Sequence, residues 1–352
     1  MSLRDHIVAR VAADGPITLA DYMHDCLLHP TFGYYATRDP FGAAGDFVTA
    51  PEISQMFGEL IGLCLAQCWI EQGRPTAFTL AELGPGRGTL MADILRATAS
   101  VPGFTDAAHV LMIEASAHLA ALQQRTVTHP RITWRSTVDD LPHAPLFLVA
   151  NEFFDALPAH QFQRDGKRWR ERQIGVKNGA LSPGLGPALV QRMLDHRLDD
   201  TQDGDIVEYT PGLAPIVETI TDRIASYGGA ALIFDYGDWR SLGDTFQAMQ
   251  AHAPVDPFAE PGSADLTTHV DFEAVTRAAK CAFTRLTPQG VFLERLGITQ
   301  RANALARHLK GDALQAHIDA HRRLTHPDEM GNLFKVLGLF PPNAAPPPGL
   351  DI

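Results

Sequence analysis

The chain has 352 residues, 45% of them hydrophobic and 20% charged, with a formal net charge of −12. This balance suits a folded globular protein long enough for one large domain with insertions or for two domains. The acidic excess argues against a nucleic-acid surface, which needs a basic face, and no run of the ~18 apolar residues of a membrane span is present.

Residues 1–75 read as mostly helical, with an irregular Gly- and Pro-rich interruption from His29 to Pro51. The first residues, with Arg4, Asp5 and Arg10 among Leu3, Ile7, Val8 and Val11, follow a surface-helix pattern unlike a secretory signal, so a cytoplasmic location is expected. A long helix is expected over Ile53 to Gln72, where Phe57, Leu60, Ile61, Cys64, Leu65, Cys68 and Trp69 form a broad apolar stripe. It is suited either to internal packing or to a homodimer contact. The four cysteines form no CxxC pair, and the fifteen histidines show no metal spacing, so reduced core cysteines and no metal are expected.

From Ala77 onward, short apolar runs alternate with helical patterns. The expected strands are Phe78 to Leu83, His109 to Glu114, Ile132 to Arg135 and Leu146 to Ala150, with helices over Gly88 to Ala99 and Ala117 to Thr126. Such alternation predicts an α/β fold with a mostly parallel, doubly wound sheet and helices on both faces. Ligands of such sheets bind at the carboxyl ends of the strands. The region 159–227 breaks the pattern with a hairpin (His160 to Phe162, Trp169 to Val176), a turn at Ser182 to Pro187 and helical material around Pro211 to Tyr227. It reads as an insertion for substrate or partner contacts. A buried strand resumes at Ala230 to Gly237, followed by an irregular loop (Trp239 to Thr268), a helix (Asp271 to Ala279) and final strands at Phe283 to Thr287 and Phe334 to Leu339. The predicted organisation is therefore 1–75, a core of 76–158 and 228–340, the insertion 159–227, and a Pro-rich tail, 341–352, that is extended or disordered.

The chemistry gathers at one turn. Glu82-Leu83-Gly84-Pro85-Gly86-Arg87-Gly88 ends a buried strand and opens a helix, and its Gly-x-Gly-x-Gly spacing departs from the Gly-x-Gly-x-x-Gly of dinucleotide sites, with Thr89 where the third glycine would stand. Acids close the strands: Glu82 in the turn, Glu114 after the second strand and Asn151-Glu152 after the fourth. A carboxylate at Glu114 is placed for ribose hydroxyls. Clustered acids repel a pyrophosphate and attract a sulfonium and an ammonium, which points to S-adenosylmethionine.

Five segments carry a resemblance to a known family: Gly45-Asp46-Phe47-Val48-Thr49-Ala50-Pro51-Glu52-Ile53-Ser54-Gln55, Glu82 to Thr89, Asn151-Glu152-Phe153-Phe154-Asp155-Ala156-Leu157-Pro158, Asp235-Tyr236-Gly237 and Gly331-Asn332-Leu333-Phe334-Lys335-Val336. In this order they resemble the MidA family of class I S-adenosylmethionine-dependent methyltransferases, which includes a mitochondrial complex I assembly methyltransferase. The resemblance implies a seven-stranded methyltransferase sheet and a protein substrate methylated on arginine, a complex I subunit or its bacterial counterpart. It places Glu82, Leu83, Gly84, Gly86, Gly88, Glu114 and Asn151 at the cofactor. Ala115 would lie near the adenine, and Asp139 is a further adenine candidate whose alternative is a solvated acid in a turn.

Glu152 and Asp155 are the candidate catalytic pair, with Asp46 a third acid that would close over the site. An arginine guanidinium stays protonated at neutral pH, and carboxylates can align it and offset its charge through paired hydrogen bonds. The competing reading is that Glu152 and Asp155 cap a following helix while Phe153 and Phe154 enter the core. Two other functions remain open at this level: an assembly chaperone that binds S-adenosylmethionine without essential catalysis, and a nicotinamide-dependent oxidoreductase.

Overall fold

A computed structural model describes residues 2–37 and 48–352. It divides into two compact units, one of Val48–Phe154, Pro215–Trp239 and Phe272–Ile352, the other of Met1–Phe47, Asp155–Ala214 and Arg240–Asp271. Each gathers segments that are far apart in the chain.

The larger unit is built on a mixed sheet. Its strands are β1 (Phe78–Leu83), β2 (Ala108–Ile113), β3 (Ile132–Arg135), β4 (Leu146–Asn151), β5 (Gly229–Asp238), β6 (Ala282–Phe283), β7 (Thr287–Pro288) and β8 (Phe334–Phe340). The spatial order is β6-β8-β5-β4-β1-β2-β3, with β7 also on β8. β3, β2, β1, β4 and β5 run parallel, and β8 is antiparallel to β5. Every residue of β1 and β4 is buried, which is why these strands read as unbroken apolar runs instead of alternating ones. Phe78, Leu80, Phe147, Val149, Leu232 and Phe234 belong to the main core, together with the helix Gln55–Glu71. That helix packs internally, and its Gly58 and Gly62 explain how closely it lies on the helix Thr89–Thr98. A Cβ on Gly58 would stand 2.6 Å from the Cβ of Asp93, and one on Gly62 3.0 Å from the Cα of Ile94.

The end of the chain departs from expectation in two ways. Helices Gln289–Arg295, Ile298–Ala306 and Gly311–Thr325 add Phe292, Leu293, Ile298 and Leu324 to the core. The Pro-rich tail is packed: Leu350 is 5% exposed within that core, the Cys64 thiol donates to the Pro348 carbonyl at 3.5 Å, and Arg285 N donates to Asp351 O at 2.8 Å. Proline removes donors and fixes φ but leaves carbonyls and apolar rings free to pack, so a Pro-rich composition does not by itself mean disorder.

The smaller unit joins two capped N-terminal helices to a five-stranded sheet. Leu3–Asp14 and Leu19–Leu28 start at Ser2 and Thr18, each in a capping box with the acid three residues on, Asp5 and Asp21. Ile17–Thr18 pairs with Arg168–Lys177, which also pairs with His160–Asp165 and Ala180–Leu189. Residues Ser182 to Pro187, expected as a turn, lie inside the strand Ala180–Leu189, whose only partner among the described residues is Arg168–Lys177. Proline and glycine are tolerated there because an edge strand has no ladder on its outer side. The expected irregular loop over Trp239 to Thr268 contains a small antiparallel sheet of Gln247–Gln250, Ala253–Val255 and Asp265–Thr267. Tyr22, Met23, Cys26, Ile174 and Leu266 form this unit's core.

Candidate active site

The larger unit places three glycines with left-handed backbones between β1 and the helix Thr89–Thr98: Gly84, Gly86 and Gly88, with φ of 56, 52 and 82°. At Gly84 a Cβ would stand 2.9 Å from the Phe153 ring, and at Gly88 2.7 Å from Val127 Cγ2. Both positions exclude side chains by conformation and by space. The turn is tied to its neighbours by Gly84 N donating to Ile113 O at 3.0 Å and by Thr89 Oγ1 donating to Glu52 Oε1. Glu52, from the short helix Ala50–Ile53, also lies 4.0 Å from the Arg87 guanidinium.

Two buried acceptors sit at this end of the sheet. In the parallel register Glu82 is paired with Val149, so Glu82 and Asn151 share one face, the face of Phe234 and the helix Gln55–Glu71. Glu82 Oε2 and Asn151 Oδ1 are both buried without a hydrogen-bond partner among the described residues. Burial pushes the Glu82 carboxyl well above the usual range, against a hydrogen bond from Met91 N–H, and the nearby Glu114 adds to the rise. Buried acceptors are normally satisfied, so two orphans on one face call for a ligand with N–H donors.

Glu114 follows β2. Its Oε1 accepts from Ser116 N at 2.8 Å and its Oε2 from Gln123 Nε2 at 3.0 Å. Burial raises this carboxyl, and those hydrogen bonds oppose the rise. Leu83 is fully buried and paired in register with Ile113 and Ala150; Ala115 and Asp139 are exposed, Asp139 on the turn Val138–Asp140.

After β4 the backbone of Glu152 is left-handed, with φ 52°, although it bears a full side chain. Its Oε1 accepts from Asn151 Nδ2 at 3.0 Å and from Ala50 N at 3.4 Å, and its own N–H donates to Phe234 O at 2.9 Å. Asp235, fully buried on β5, organises the same loop. Its Oδ2 accepts from Phe153 N at 3.2 Å and Phe154 N at 2.9 Å, and its Oδ1 from Tyr236 N at 3.1 Å. Burial pushes its carboxyl up to about 8, the Phe154 hydrogen bond opposing and the charge of Glu152 adding. No helix follows Glu152 and Asp155, since the next element is the strand His160–Asp165, so the helix-capping reading of these acids does not hold. Asp155 belongs to the smaller unit, where it is buried and its carbonyl accepts from Thr268 N at 3.0 Å. Asp46 lies outside the described residues.

Residues 60–290 match a family model described as "Putative S-adenosyl-L-methionine-dependent methyltransferase". The chain is 36% identical to human "Protein arginine methyltransferase NDUFAF7, mitochondrial" over 376 residues, 96% of this chain and 82% of the relative. It belongs to the S-adenosylmethionine-dependent methyltransferases. The Drosophila melanogaster homologue of the same name is 35% identical, with 97% of this chain and 85% of the relative covered. A crystal structure from Burkholderia thailandensis bound to S-adenosylhomocysteine superposes with a TM-score of 0.83 at 28% identity, covering 97% of this methyltransferase and 92% of that chain. The nicotinamide reading gives way to the methyl donor. The expected cytoplasmic location is overturned, because the human and fly relatives are both named as mitochondrial. Among the described residues no helix of this methyltransferase is long and apolar enough to cross a membrane.

Sequence reasoning gave no role at the glycine turn to Gln123, to the Glu52 carboxylate or to the ring of Phe153. Nothing in the local pattern marks Gln123, which stands beside Gln124 in a helix of ordinary polar composition.

Proposed function

We propose that this methyltransferase transfers methyl groups to an arginine side chain of a protein, at the carboxyl ends of β1, β2 and β4. Support for the target comes from the relatives named as protein arginine methyltransferases and from the acids around Glu152. S-adenosylmethionine supplies an activated methyl group on a sulfonium. Its site fits the residues present: the glycine turn at Gly84, Gly86 and Gly88 gives close backbone approach where a Cβ would clash, and the orphan acceptors of Glu82 and Asn151 suit an ammonium. Glu114 takes the ribose hydroxyls, with Leu83 offering backbone groups and Ala115 and Asp139 lying toward the adenine. A class I sheet is supported by the parallel run from β3 to β5 with β8 reversed beside it.

The observation that carries the acceptor side is the backbone of Glu152. A non-glycine residue held at positive φ costs of order 1–3 kcal/mol and persists only where the surrounding structure over-determines it, as the contacts of Glu152 do here and as is common at active sites. Its carboxylate, oriented by Asn151 Nδ2 and Ala50 N, holds the acceptor guanidinium, draws positive charge away from the reacting nitrogen and receives the proton released on methylation. Asp155 and Asp46 are the further carboxylates of this proposal. Most of the rate enhancement comes from orientation, because the donor is already activated. A respiratory complex I subunit is the acceptor to which the motif resemblance points.

Glu152→Gln tests the assignment. S-adenosylhomocysteine affinity should stay within about threefold of wild type while methyl transfer to an arginine acceptor falls by about 100-fold. Undiminished transfer would remove Glu152 from the chemistry. Mass spectrometry of complex I subunits in cells lacking the protein should show an arginine methylation vanish; an unchanged methylation pattern would dismiss that partner.

A further inference from the structure

Gln123, in the helix Ala117–Thr126, is fully buried. A buried primary amide must satisfy two N–H donors and its oxygen, and this one does so on three different elements. Nε2 donates to Gly86 O at 2.9 Å and to Glu114 Oε2 at 3.0 Å, while Oε1 accepts from the Trp134 indole N–H at 3.1 Å. The indole fixes which way the amide lies. It can only donate, so it selects the amide oxygen and turns both amide hydrogens toward Gly86 and Glu114. With Ser116 N on its other oxygen, the Glu114 carboxylate is held at both ends. The helix also comes close to the turn itself, since a Cβ on Gly88 would stand 3.6 Å from Gln123 Cα. An apolar side chain would fill this place without the desolvation of an amide, so the amide needs an explanation beyond packing.

We propose that Gln123 is a positioning residue for the methyl donor: oriented by Trp134, its amide locks the glycine turn at Gly86 to the Glu114 carboxylate and presents that carboxylate to the ribose hydroxyls. The proposal rests on the reading of Glu114 as the ribose acid. It assigns Trp134, on β3, a role in cofactor affinity without contact with the cofactor.

The test compares the binding of S-adenosylhomocysteine and its 2′-deoxy analogue by titration calorimetry on the full-length protein. Wild type should prefer the ribose form by about tenfold or more, the scale of a hydrogen bond to a charged group. In Gln123→Leu that preference should collapse toward unity, because the ribose form loses about tenfold in affinity and the deoxy form much less. Trp134→Phe keeps the ring, loses only the N–H, and should lower the preference in the same direction by a smaller factor. A merely structural role for Gln123 would weaken both ligands equally. A preference retained in full by either folded variant overturns the proposal and leaves the ribose role of Glu114 standing. A wild type without any preference overturns both. If Gln123→Leu fails to fold, the Trp134→Phe comparison decides alone.

Discussion

Gly84 carries two constraints that can be separated. Its φ of 56° is one, and the Phe153 ring 2.9 Å from a would-be Cβ is the other. Gly15 shares the first, at φ 92°, but has open space around it. With ψ at −175° it lies in a region that essentially only glycine visits, so Gly15→Ala should lose about 1–3 kcal/mol of stability from backbone strain alone. Gly84→Ala should in addition displace Phe153 from the acceptor loop and weaken S-adenosylhomocysteine by about tenfold or more, a 1.4 kcal/mol effect or larger. Calorimetry on both variants checks the pair, and equal affinities would show that the ring contact has no bearing on the site. At this scale the sequence was informative where chemistry and conformation coincide. Three alternating glycines behind an acid admit few readings, and the acids at Glu114 and Glu152 stand where strands end. It gave no role to the side chains of Gln123 and Glu52, because a polar residue in a short helix looks the same facing solvent as facing a buried partner.

The helix Gln55–Glu71 is held from both sides. Its small residues let it lie on Thr89–Thr98, and its buried Glu59 binds Arg96 at 2.7 Å and Arg301 at 2.7 Å, the latter from the helix Ile298–Ala306. Arg96 also reaches Asp93 at 2.6 Å. Burial alone would raise the Glu59 carboxyl, but hydrogen bonds from Arg301 and Arg96 hold it below the usual range. A lowered carboxyl stabilises the fold above its unfolded pKa, and that contribution is lost as pH falls through the folded value. Removing one arginine should cost about 1 kcal/mol, since each is partly exposed and the other remains. Arg96→Ala with Arg301→Ala leaves a buried unpaired acid and should cost about 3 kcal/mol at neutral pH. The difference from wild type should be smaller in acid than at neutral pH, closing as the pH falls through the lowered wild-type value of Glu59, below which the acid is protonated in both proteins. Urea denaturation at the two pH values measures this, and a difference that does not depend on pH would show that the ion pairs contribute little. The apolar stripe of this helix was legible from Phe57 to Trp69. Its partner helix at Ile298 was not, because Thr299, Gln300, Arg301 and Asn303 mask a seam carried by little more than Ile298 and Ala302.

Across the whole molecule, the sheet could be read because strands buried on both faces leave long apolar runs, as in β1, β4 and β5. The smaller unit could not be read in the same way: its strands depend on partners distant in sequence, and Pro183, Gly184 and Gly186 in an edge strand look like a turn until the pairing is known. The tail is a further instance, with Leu350 as its anchor in the core. Deleting residues 341–352 should cost about 3 kcal/mol, roughly the burial of one leucine with its accompanying hydrogen bonds. Urea denaturation of the shortened chain would show it, and unchanged stability would mean that the tail only lies on the surface.

The pairing of Ile17 with Ile174 sets a schedule for synthesis. The two residues are 157 positions apart (174 − 17), so at about 5–20 residues per second the ribosome takes roughly 8–30 s to supply the partner strand. Throughout that interval the apolar faces of the first two helices, including Leu3, Ile7, Tyr22 and Met23, have no core to enter. The core of these helices therefore closes late in synthesis, because it also needs Ala248, Ala264 and Leu266 from still further along the chain.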